Sequence, residues 1–500
     1  MLNRSVILSC LFWTALLVAP ASLLAVDANP NASATTLGTS NVDRSTLDRA
    51  LVFYENRKFV EAEKLFREVL AASDAGQIPQ ADAAHCLGPL TTIYQSWGRK
   101  DNAALSVAWK YHKYVAEKLA DDPVNRDREL DNNSAYVVEI LLAVGRNADA
   151  EKLEQNMLAA AEKHTEANPL RTLKWLWKLS QFYLLQENSE QAKHYGERTV
   201  GLAQKTIALA EQRQQPVEPV CVAALAAGYS AIDNMPEAIR NYTKLLKIQN
   251  AQNDAAGAVQ TRLTLGSLCA EAGQFDQALA VYQDGLIQQR QIKSPSLEEG
   301  DLLARIAAVS STEGQAVVAR QAWEDAAAVY SQLLKRLESN PQAQDQLAQV
   351  LNQLQMVQQQ AGHYSQAVEA CRRLLDLRKN SLADEHPLTI AAKSDLGALY
   401  GATGNFELAI PLLTSALQYW QQHNPPANLK WARALNDLAV AERGVGSFND
   451  AQAHLEKALE LRQASLQADD DRLASSQANL ASIYQARGLY AKAVALLDQA

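Results

Sequence analysis

The chain has 500 residues, and 48% of them are hydrophobic, which is enough to bury a core and excludes a wholly disordered protein. Lys and Arg number 47 against 56 Asp and Glu, so the net charge of -9 argues against a nucleic-acid or anionic-membrane surface. Only 21 Gly and 15 Pro are present, and the chain is rich in Ala, Leu and Gln. This composition predicts a helical protein.

The segment 1–28 is typical of a secretory signal peptide. Arg4 precedes an uncharged apolar stretch over residues 6–18, and small residues follow it. Cleavage after Ala21, Ala25 or Ala28 fits this pattern, which predicts export to the periplasm or the extracellular space. An uncleaved membrane anchor is the alternative, because the uncharged stretch is just long enough to span a bilayer.

Residues 29–42 are small and polar and predict a flexible lead-in. Beyond the leader, four cysteines remain, and no two of them form a CxxC pair: Cys86, Cys221, Cys269 and Cys371. This spacing predicts neither a zinc site nor a dense disulfide framework. We expect these cysteines to be small buried residues inside helices.

A regular repeat organises the C-terminal part of the chain. Gly362, Gly404, Gly446 and Gly488 follow one another at the same 42-residue interval, each with an aromatic residue two positions later and Ala five positions later. Extending the Ala position backwards gives eleven anchors, at Ala62, Ala103, Ala150, Ala192, Ala238, Ala278, Ala326, Ala367, Ala409, Ala451 and Ala493. Self-similarity at such a period predicts stacked supersecondary units in place of separate domains.

A large aliphatic residue lies 13 positions before the Ala in nine of the eleven units. The exceptions are the first unit, which has Arg49 there, and the seventh, in which residues 315–321 are interpreted as an insertion in the turn between Ile306 and Ala326. Apolar residues recur at helical spacing around both anchors, and Gly accepts the left-handed conformation that ends a helix. Each unit is therefore predicted to be a helical hairpin in an all-α fold.

These residues resemble tetratricopeptide repeats. The pattern Leu-Gly/Ala-x-x-Tyr followed by Gly-x-aromatic-x-x-Ala is present at Leu396–Ala409 and at Leu480–Ala493. The 42-residue spacing, Arg378 and Arg462 near the ends of second helices, and the pair His386-Pro387 resemble the long repeats of kinesin light chains and of many bacterial repeat proteins. The resemblance implies a right-handed superhelical solenoid of about eleven hairpins, whose concave wall consists of the first helix of each hairpin.

The predicted organisation has degenerate units over residues 43–344 and four regular units over residues 345–500, the last of them incomplete. Residues 119–132 and 213–220 are predicted to be loops that lengthen the links between hairpins. Because the last hairpin lacks its end and a capping helix, we expect that the chain continues beyond Ala500 or that a partner, such as a second copy, covers this end.

No catalytic or cofactor-binding motif is present. The eight His residues occur in no metal-binding spacing, and the GxxxxGK[ST], GxGxxG and GxSxG motifs are absent from the sequence. We therefore expect a protein that is not an enzyme, with no catalytic residues, no cofactor and no metal.

The wall of first helices is the predicted binding surface. Asn352, Arg433, Asn436 and Arg443 lie on a stripe that faces away from the core, within a neutral groove of small and amide side chains. Amides there could bind the main chain of an extended peptide, as the resemblance to kinesin light chains implies, and the arginines could pair with an acidic ligand side chain. The alternative is that all four are ordinary exposed helix residues.

These features predict a non-enzymatic interaction scaffold of the cell envelope that binds an extended peptide or protein segment in its concave groove and binds no nucleic acid. The alternative is the recruiting or sensor portion of a larger signalling enzyme or protease. Membrane insertion is expected only if the N-terminal anchor stays uncleaved, and self-association through the C-terminal end remains open.

Overall fold

The computed structural model describes residues 44–97, 99–118, 123–186, 188–291, 294–340, 343–382, 384–423, 429–466 and 470–498. The predicted signal peptide and lead-in lie outside these residues. Within them, all regular secondary structure is helical, which confirms the all-α prediction.

The described residues form two compact units that divide between Asn234 and Met235, in the turn of the predicted fifth hairpin. The N-terminal unit contains α1 (Arg44–Glu55), α2 (Phe59–Asp74), α3 (Gln80–Ala84), α4 (Leu87–Ser96), α5 (Asn102–Lys118), α6 (Pro123–Ala143), α7 (Asn147–Glu162), α8 (Pro169–Leu185), α9 (Ser189–Gln212) and α10 (Pro219–Ala231). The C-terminal unit contains α11 (Met235–Ala251), α12 (Ala255–Glu271), α13 (Phe275–Arg290), α14 (Leu297–Thr312), α15 (Ala316–Glu338), α16 (Gln344–Gln360), α17 (Tyr364–Ser381), α18 (Pro387–Ala402), α19 (Phe406–His423), α20 (Leu429–Gly444), α21 (Phe448–Ser465), α22 (Asp471–Ala486) and α23 (Tyr490–Leu497).

Within each unit, consecutive helices pack in pairs, and each pair packs on the next. The first helices of neighbouring hairpins also contact one another directly: α8 contacts α10 in the N-terminal unit, and α18 contacts α20 and α20 contacts α22 in the C-terminal unit. Side chains from different hairpins are therefore brought together on a shared row of first helices.

The predicted turn glycines all adopt the left-handed conformation, with φ between +75° and +82°: Gly362, Gly404, Gly446 and Gly488. The aromatic residue two positions later is the first residue of the second helix, as it is for Phe406 at the start of α19. Where the turn lacks glycine, Arg57 and Asp233 adopt the same conformation, with φ of 57° and 60°. A left-handed residue, glycine in most of these turns, therefore marks the end of the first helix, because it stops helix propagation.

The aliphatic anchors are buried, with Leu90 at 0% exposure and Leu438 at 2%. The Ala anchors are buried as well, except in the second hairpin, where Ala103 is exposed and Ala104 takes the buried position. The reason for this one-residue error is a longer turn: five residues separate α4 from α5, whereas three separate α16 from α17.

The predicted insertion in the seventh hairpin is wrong. Only three residues separate α14 from α15, and Gly314 among them has φ of +73°. Ala319 follows five positions later and is 3% exposed, and Ile306 lies 13 positions before it, so the ordinary pattern is intact. The additional residues instead lengthen α15, which has 23 residues against 18 in α17.

The two predicted linking loops have different outcomes. Residues 119–122 lie outside the described part of the chain, but α6 begins at Pro123, so residues 123–132 are helical and the loop prediction is wrong there. A proline is tolerated at the first position of a helix because its missing N–H has no intrahelical partner. In the second predicted loop, residues 213–220, the prediction is correct for 213–218 and wrong for Pro219 and Val220, which begin α10.

The four cysteines are buried and unpaired, as expected from their spacing. Cys221, Cys269 and Cys371 lie inside helices, and Cys86 is the residue before α4. Burial raises the pKa of the Cys86 thiol to about 12 and that of Cys269 to about 11. These thiols therefore stay protonated and unreactive in the folded chain.

Equivalent arginines join successive hairpins. Arg378, near the end of α17, donates from Nη1 to the carbonyl oxygen of Leu388 in α18 at 2.7 Å. Arg462, near the end of α21, donates in the same way to the carbonyl oxygen of Arg472 in α22 at 2.8 Å. Both arginines are 7% exposed, so each is a buried tie between a second helix and the following first helix.

Substituting one turn glycine tests this account of the hairpins. Nothing lies within 4 Å of a Cβ added at Gly404, so Gly404→Ala acts through the backbone alone and should destabilise the chain by about 1–2 kcal/mol. Gly401→Ala, in α18 and equally unobstructed, is the control and should stabilise it by about 0.5–1 kcal/mol. Urea denaturation measures both, and equal effects of the two changes would contradict the assigned turn.

Candidate functional site

Three of the four predicted binding residues lie together on one first helix. Arg433, Asn436 and Arg443 are on α20, and Asn352 is on α16, two first helices earlier in the chain. Arg433 and Arg443 are exposed, and the two asparagines are half-buried. All four are therefore at the surface of the C-terminal unit, but only those on α20 belong to a shared side-chain network.

The network begins with an ion pair between α18 and α20. Arg433 donates from Nη2 to Oδ1 of Asp395 at 2.7 Å, and its Nε lies 3.5 Å from Oδ2 of Asp437. The charge of Asp395 raises the pKa of Arg433, and burial raises the pKa of Asp437 while Arg433 lowers it. Arg433 is therefore shared by two carboxylates of its own chain.

Amides and a hydroxyl continue the network from α20 to α22. Asn479 donates from Nδ2 to Oδ1 of Asn436 at 3.0 Å, and Asn436 donates from Nδ2 to Oδ1 of Asp437 at 3.3 Å. Arg443 donates from Nη1 to the Oγ of Ser482 at 2.7 Å. Side chains thus link three successive first helices in one row.

The ligand-binding role of the four predicted residues stays a prediction, but the groove is not neutral at Arg433, because the predicted stripe omitted Asp395 and Asp437. A signal for them exists in the sequence: Gln353, Asp395, Asp437 and Asn479 follow one another at 42-residue intervals, each one position before the aliphatic anchor. The predicted stripe used the positions next to this column of four residues, such as Asn352 and Asn436, and so did not include it. Interhelical bonds occur at this position because it points toward the neighbouring first helix.

The same repeat position, one before the aliphatic anchor, also joins the first helices of the seventh and eighth hairpins. Gln353 of α16 donates from Nε2 to Oδ1 of Asp301 on α14 at 3.1 Å. Asp301 is only 6% exposed, and burial raises its pKa to about 6. Gln353, adjacent to Asn352, therefore serves the contact between helices and leaves Asn352 as the surface amide of this helix.

The N-terminal unit has a comparable tie that is buried. Arg171 of α8 donates from Nε to Oδ2 of Asp131 on α6 at 2.9 Å, and it also pairs with Asp127. Trp175 donates from Nε1 to Oδ1 of Asp131 at 3.1 Å. The side chain of Arg171 is 6% exposed, whereas that of Arg433 is 56% exposed. A ligand can therefore reach the network on α20 and cannot reach the one on α8.

No group of three or more His, Cys, Asp or Glu side chains in the described part of the chain is arranged to hold a metal ion. None of the helices of residues 44–498 that the structure describes is both long and apolar enough to span a bilayer.

A family model described as tetratricopeptide repeat matches residues 346–422 and 432–500, which confirms the predicted repeat type in this part of the chain. No curated protein sequence matches the chain. Among solved structures, BtubC (BKLC) from P. vanneervenii is 21% identical with a TM-score of 0.36, and the match covers 45% of this chain and 89% of that one. A putative kinesin light chain from Podosopora anserina with TPR-like repeats is 22% identical with a TM-score of 0.32, covering 39% and 90%. The apo form of the quorum sensor NprR from B. thuringiensis is 13% identical with a TM-score of 0.38, covering 91% and 98%.

The ion pair between α18 and α20 can be tested by a double-mutant cycle on Asp395→Asn and Arg433→Gln. Because the Arg433 side chain is more than half exposed, solvent screens the pair, and we expect a coupling free energy of about 0.5–1 kcal/mol in urea denaturation at low salt. The more exposed pair of Arg372 and Glu369 on α17 is the control and should give a smaller coupling. Zero coupling for Asp395 and Arg433 would mean that the pair does not tie the helices.

Proposed function

We propose, from the tetratricopeptide repeats at residues 346–422 and 432–500, that this chain is a non-enzymatic scaffold that binds an extended segment of another protein along the first helices of its C-terminal unit. The site comprises the exposed and half-buried side chains of α16, α18, α20 and α22. No bond is made or broken in this function, and the chain contributes only a shaped polar surface.

The observation that carries the proposal is the reachable hydrogen-bonding row across three first helices. Its groups recur at the spacing of neighbouring helices, with Arg433 to Asp395 at 2.7 Å and Asn479 to Asn436 at 3.0 Å. An extended peptide lying across the helices would meet a new set of donors and acceptors at every hairpin. An extended peptide presents repeating backbone donors and acceptors, which can hydrogen-bond to such a row.

Arg443 and Asn436 have hydrogen-bonding groups available for a ligand, whereas the charged Arg433 is already engaged by two carboxylates. Among the described residues, Arg443 is held only by the neutral hydroxyl of Ser482, so it can bind a ligand carboxylate without giving up an ion pair. The side-chain amide of Asn436 uses its Oδ1 and one N–H of Nδ2 within the network. The second N–H of Nδ2 is left for a ligand carbonyl group. Arg433 acts here as a positioning residue for Asp395 and Asp437.

Export to the cell envelope is part of the proposal and is supported by the segment 1–28 alone. The charged start, the apolar stretch and the small residues after it favour removal of the leader by a signal peptidase. An uncleaved leader would instead tether the same scaffold to the membrane.

A second candidate is a recruiting or sensor portion of a larger signalling enzyme or protease. The exposed apolar side chains of α23 favour it, with Tyr490 at 67%, Val494 at 57% and Leu497 at 47% exposure. At the position of Leu497, the three preceding second helices carry the buried residues Cys371, Leu413 and Leu455. A further helix packed on α23 would bury this face.

Photo-crosslinking locates the binding surface. We expect p-benzoylphenylalanine at Val440, between Asn436 and Arg443 on α20, to crosslink the partner in the producing cells, and the same group at Gln366 on α17 to give no adduct. Mass spectrometry identifies the adduct, and synthetic peptides that tile the crosslinked partner provide the ligand for affinity measurement. Crosslinking at Gln366 alone would place binding on the second helices and reject the proposal.

Asn436→Ala combined with Arg443→Glu should weaken binding of that peptide by about tenfold or more, which corresponds to about 1.4 kcal/mol. The matched control is Gln366→Ala with Arg372→Glu, which makes the same chemical changes on the exposed side of α17. Fluorescence anisotropy measures both dissociation constants. The same affinity for the two variants would exclude α20 as the contact.

Amino-terminal sequencing of the protein from the producing cells tests export. We expect the mature chain to begin after Ala21, Ala25 or Ala28 and to be released from the envelope fraction without detergent. Retention of Met1 in a fraction that needs detergent would favour the tethered form. An intact leader in the cytoplasmic fraction would reject export.

A further inference from the structure

The junction between the eighth and ninth hairpins has a histidine as its helix cap. Pro387 is the first residue of α18, and the backbone N–H of Leu388 donates to Nδ1 of His386 at 3.1 Å. An imidazole nitrogen accepts this bond only while it carries no proton, so the neutral ring with its hydrogen on Nε2 is required. Other side-chain caps use residues that keep their acceptor in mild acid: Asn168, Asn188, Asp254, Ser296 and Asp470.

His386 is enclosed together with a permanent cation. It is 8% exposed, and its Nε2 is buried without a hydrogen-bond partner among the described residues. Arg378, also buried, donates to the carbonyl oxygen of Leu388 at 2.7 Å, so both side chains bind the backbone of the same residue. A proton on His386 would therefore place a second positive charge beside one that water screens poorly.

Three carboxylates lie on the link before α18 and on α18 itself, at Asp384, Glu385 and Asp395. In the link before α18, Asp384 and Glu385 are exposed. Asp384 accepts a hydrogen bond from Nζ of Lys393 in α18 at 2.7 Å. Asp395 in α18 is engaged by Arg433 at 2.7 Å. None of these carboxylates hydrogen-bonds His386 in the described part of this junction, and the charge of Asp395 also acts on Arg378, against the burial that lowers the pKa of that guanidinium.

We propose that His386 makes the packing of α18 on α17 acid-sensitive, so that this junction opens locally when the imidazole takes up a proton. Protonation at Nδ1 turns the acceptor of the Leu388 N–H into a second donor, and the capping bond is lost. The new charge also repels the Arg378 guanidinium, which is the other tie at this junction. Opening lets water reach both groups.

The direction of the pH dependence follows from the closed state. Burial, with a further effect of Arg378, lowers the pKa of His386 below its ordinary value. The open junction has an imidazole of ordinary pKa, about 6.5, and binds the proton more readily than the closed one. The cap therefore stabilises the junction fully above about pH 6.5 and loses that effect progressively as the pH falls.

The junction between the tenth and eleventh hairpins has the same arrangement as that at His386, but with an aspartate as the cap. Asp470 occupies the position of His386 two repeats later in the chain, and it accepts the backbone N–H of Arg472 at 2.9 Å. Arg462 donates to the carbonyl oxygen of Arg472 at 2.8 Å, as Arg378 does to that of Leu388. Hydrogen bonding to Arg472 lowers the pKa of Asp470, so this cap stays charged and intact in the range that protonates histidine.

Buried carboxylates have the opposite effect and cannot mimic this opening. Burial raises the pKa of Glu154 to about 7 and that of Asp301 to about 6, so both take up protons in the folded chain. Acidification therefore stabilises their closed environments. Neither α7 nor α14 belongs to the junction of α17 with α18.

Opening would also move Asp395 away from Arg433, since Asp395 lies on α18. Loss of a bound segment in acid is the expected consequence, and this consequence alone rests on the proposed function. The acid-sensitive junction itself is tested without any ligand.

Cys371 reports on the junction. Its Sγ lies 3.8 Å from the carbonyl oxygen of Ala392 on α18, and the residue is 0% exposed. The full chain is treated with 4,4′-dithiodipyridine at pH 7.5 and at pH 5.5, and peptide mass spectrometry follows each cysteine. Dividing each rate by that of the urea-unfolded chain at the same pH removes the intrinsic reactivity of the thiol.

We expect the normalised rate of Cys371 to rise by up to about tenfold from pH 7.5 to pH 5.5, the limit set by an open-state pKa near 6.5. Cys269, on α12, should change by less than about twofold, which separates local opening from global unfolding. An unchanged rate for Cys371, or an equal rise for Cys269, would overturn the proposal.

Two substitutions place the effect on residue 386. His386→Asn and His386→Asp retain a cap acceptor that takes up no proton near pH 6, so the rise at Cys371 should disappear in each variant that folds. The reciprocal change, Asp470→His, should transfer acid sensitivity to the amides of α22 in hydrogen-exchange mass spectrometry. A tenfold rise at Cys371 that persists without His386 would overturn the proposal.

Discussion

The structure depends on one constraint, which is that a single helical hairpin cannot bury both of its faces. The small Ala anchors let the two helices of a hairpin approach closely, and residues such as Ala367 and Ala451 have no exposed surface. The aliphatic anchors complete the cores, so that every interior hairpin is stabilised by its neighbours within its unit. Polar contacts occur within hairpins, as between Ser267 and Tyr282, and also on the row of first helices and in the links.

The side-chain bonds between neighbouring first helices can serve either stability or binding, depending on how exposed they are. At Arg171 and Asp131 the bonds are buried and complete, and they fasten α8 to α6. On α20 the corresponding row is open to solvent and made partly of amides, which exchange water and ligand groups at low cost. Local exposure therefore distinguishes the proposed binding surface from a structural tie with similar residue types.

The links between hairpins combine a backbone cap with a buried arginine. Arg378 and Arg462 satisfy carbonyl groups in the first turn of the next helix, where helical bonding begins, and a cap side chain accepts an N–H group of the same turn. The two junctions share the arginine bond and the capping bond, but the cap is an ionised carboxylate at Asp470, which also pairs with Arg472, and an imidazole at His386.

The sequence by itself determined the helical hairpins, their turns and their buried anchors, because local backbone preferences and a 42-residue period leave a strong trace along the chain. It also contained the column of Gln353, Asp395, Asp437 and Asn479, although its meaning depended on which helices are neighbours. Only the tertiary structure decided that Arg433 is engaged by two carboxylates and that His386 is enclosed with Arg378. These outcomes depend on how neighbouring helices pack, because packing sets the distances between their side chains.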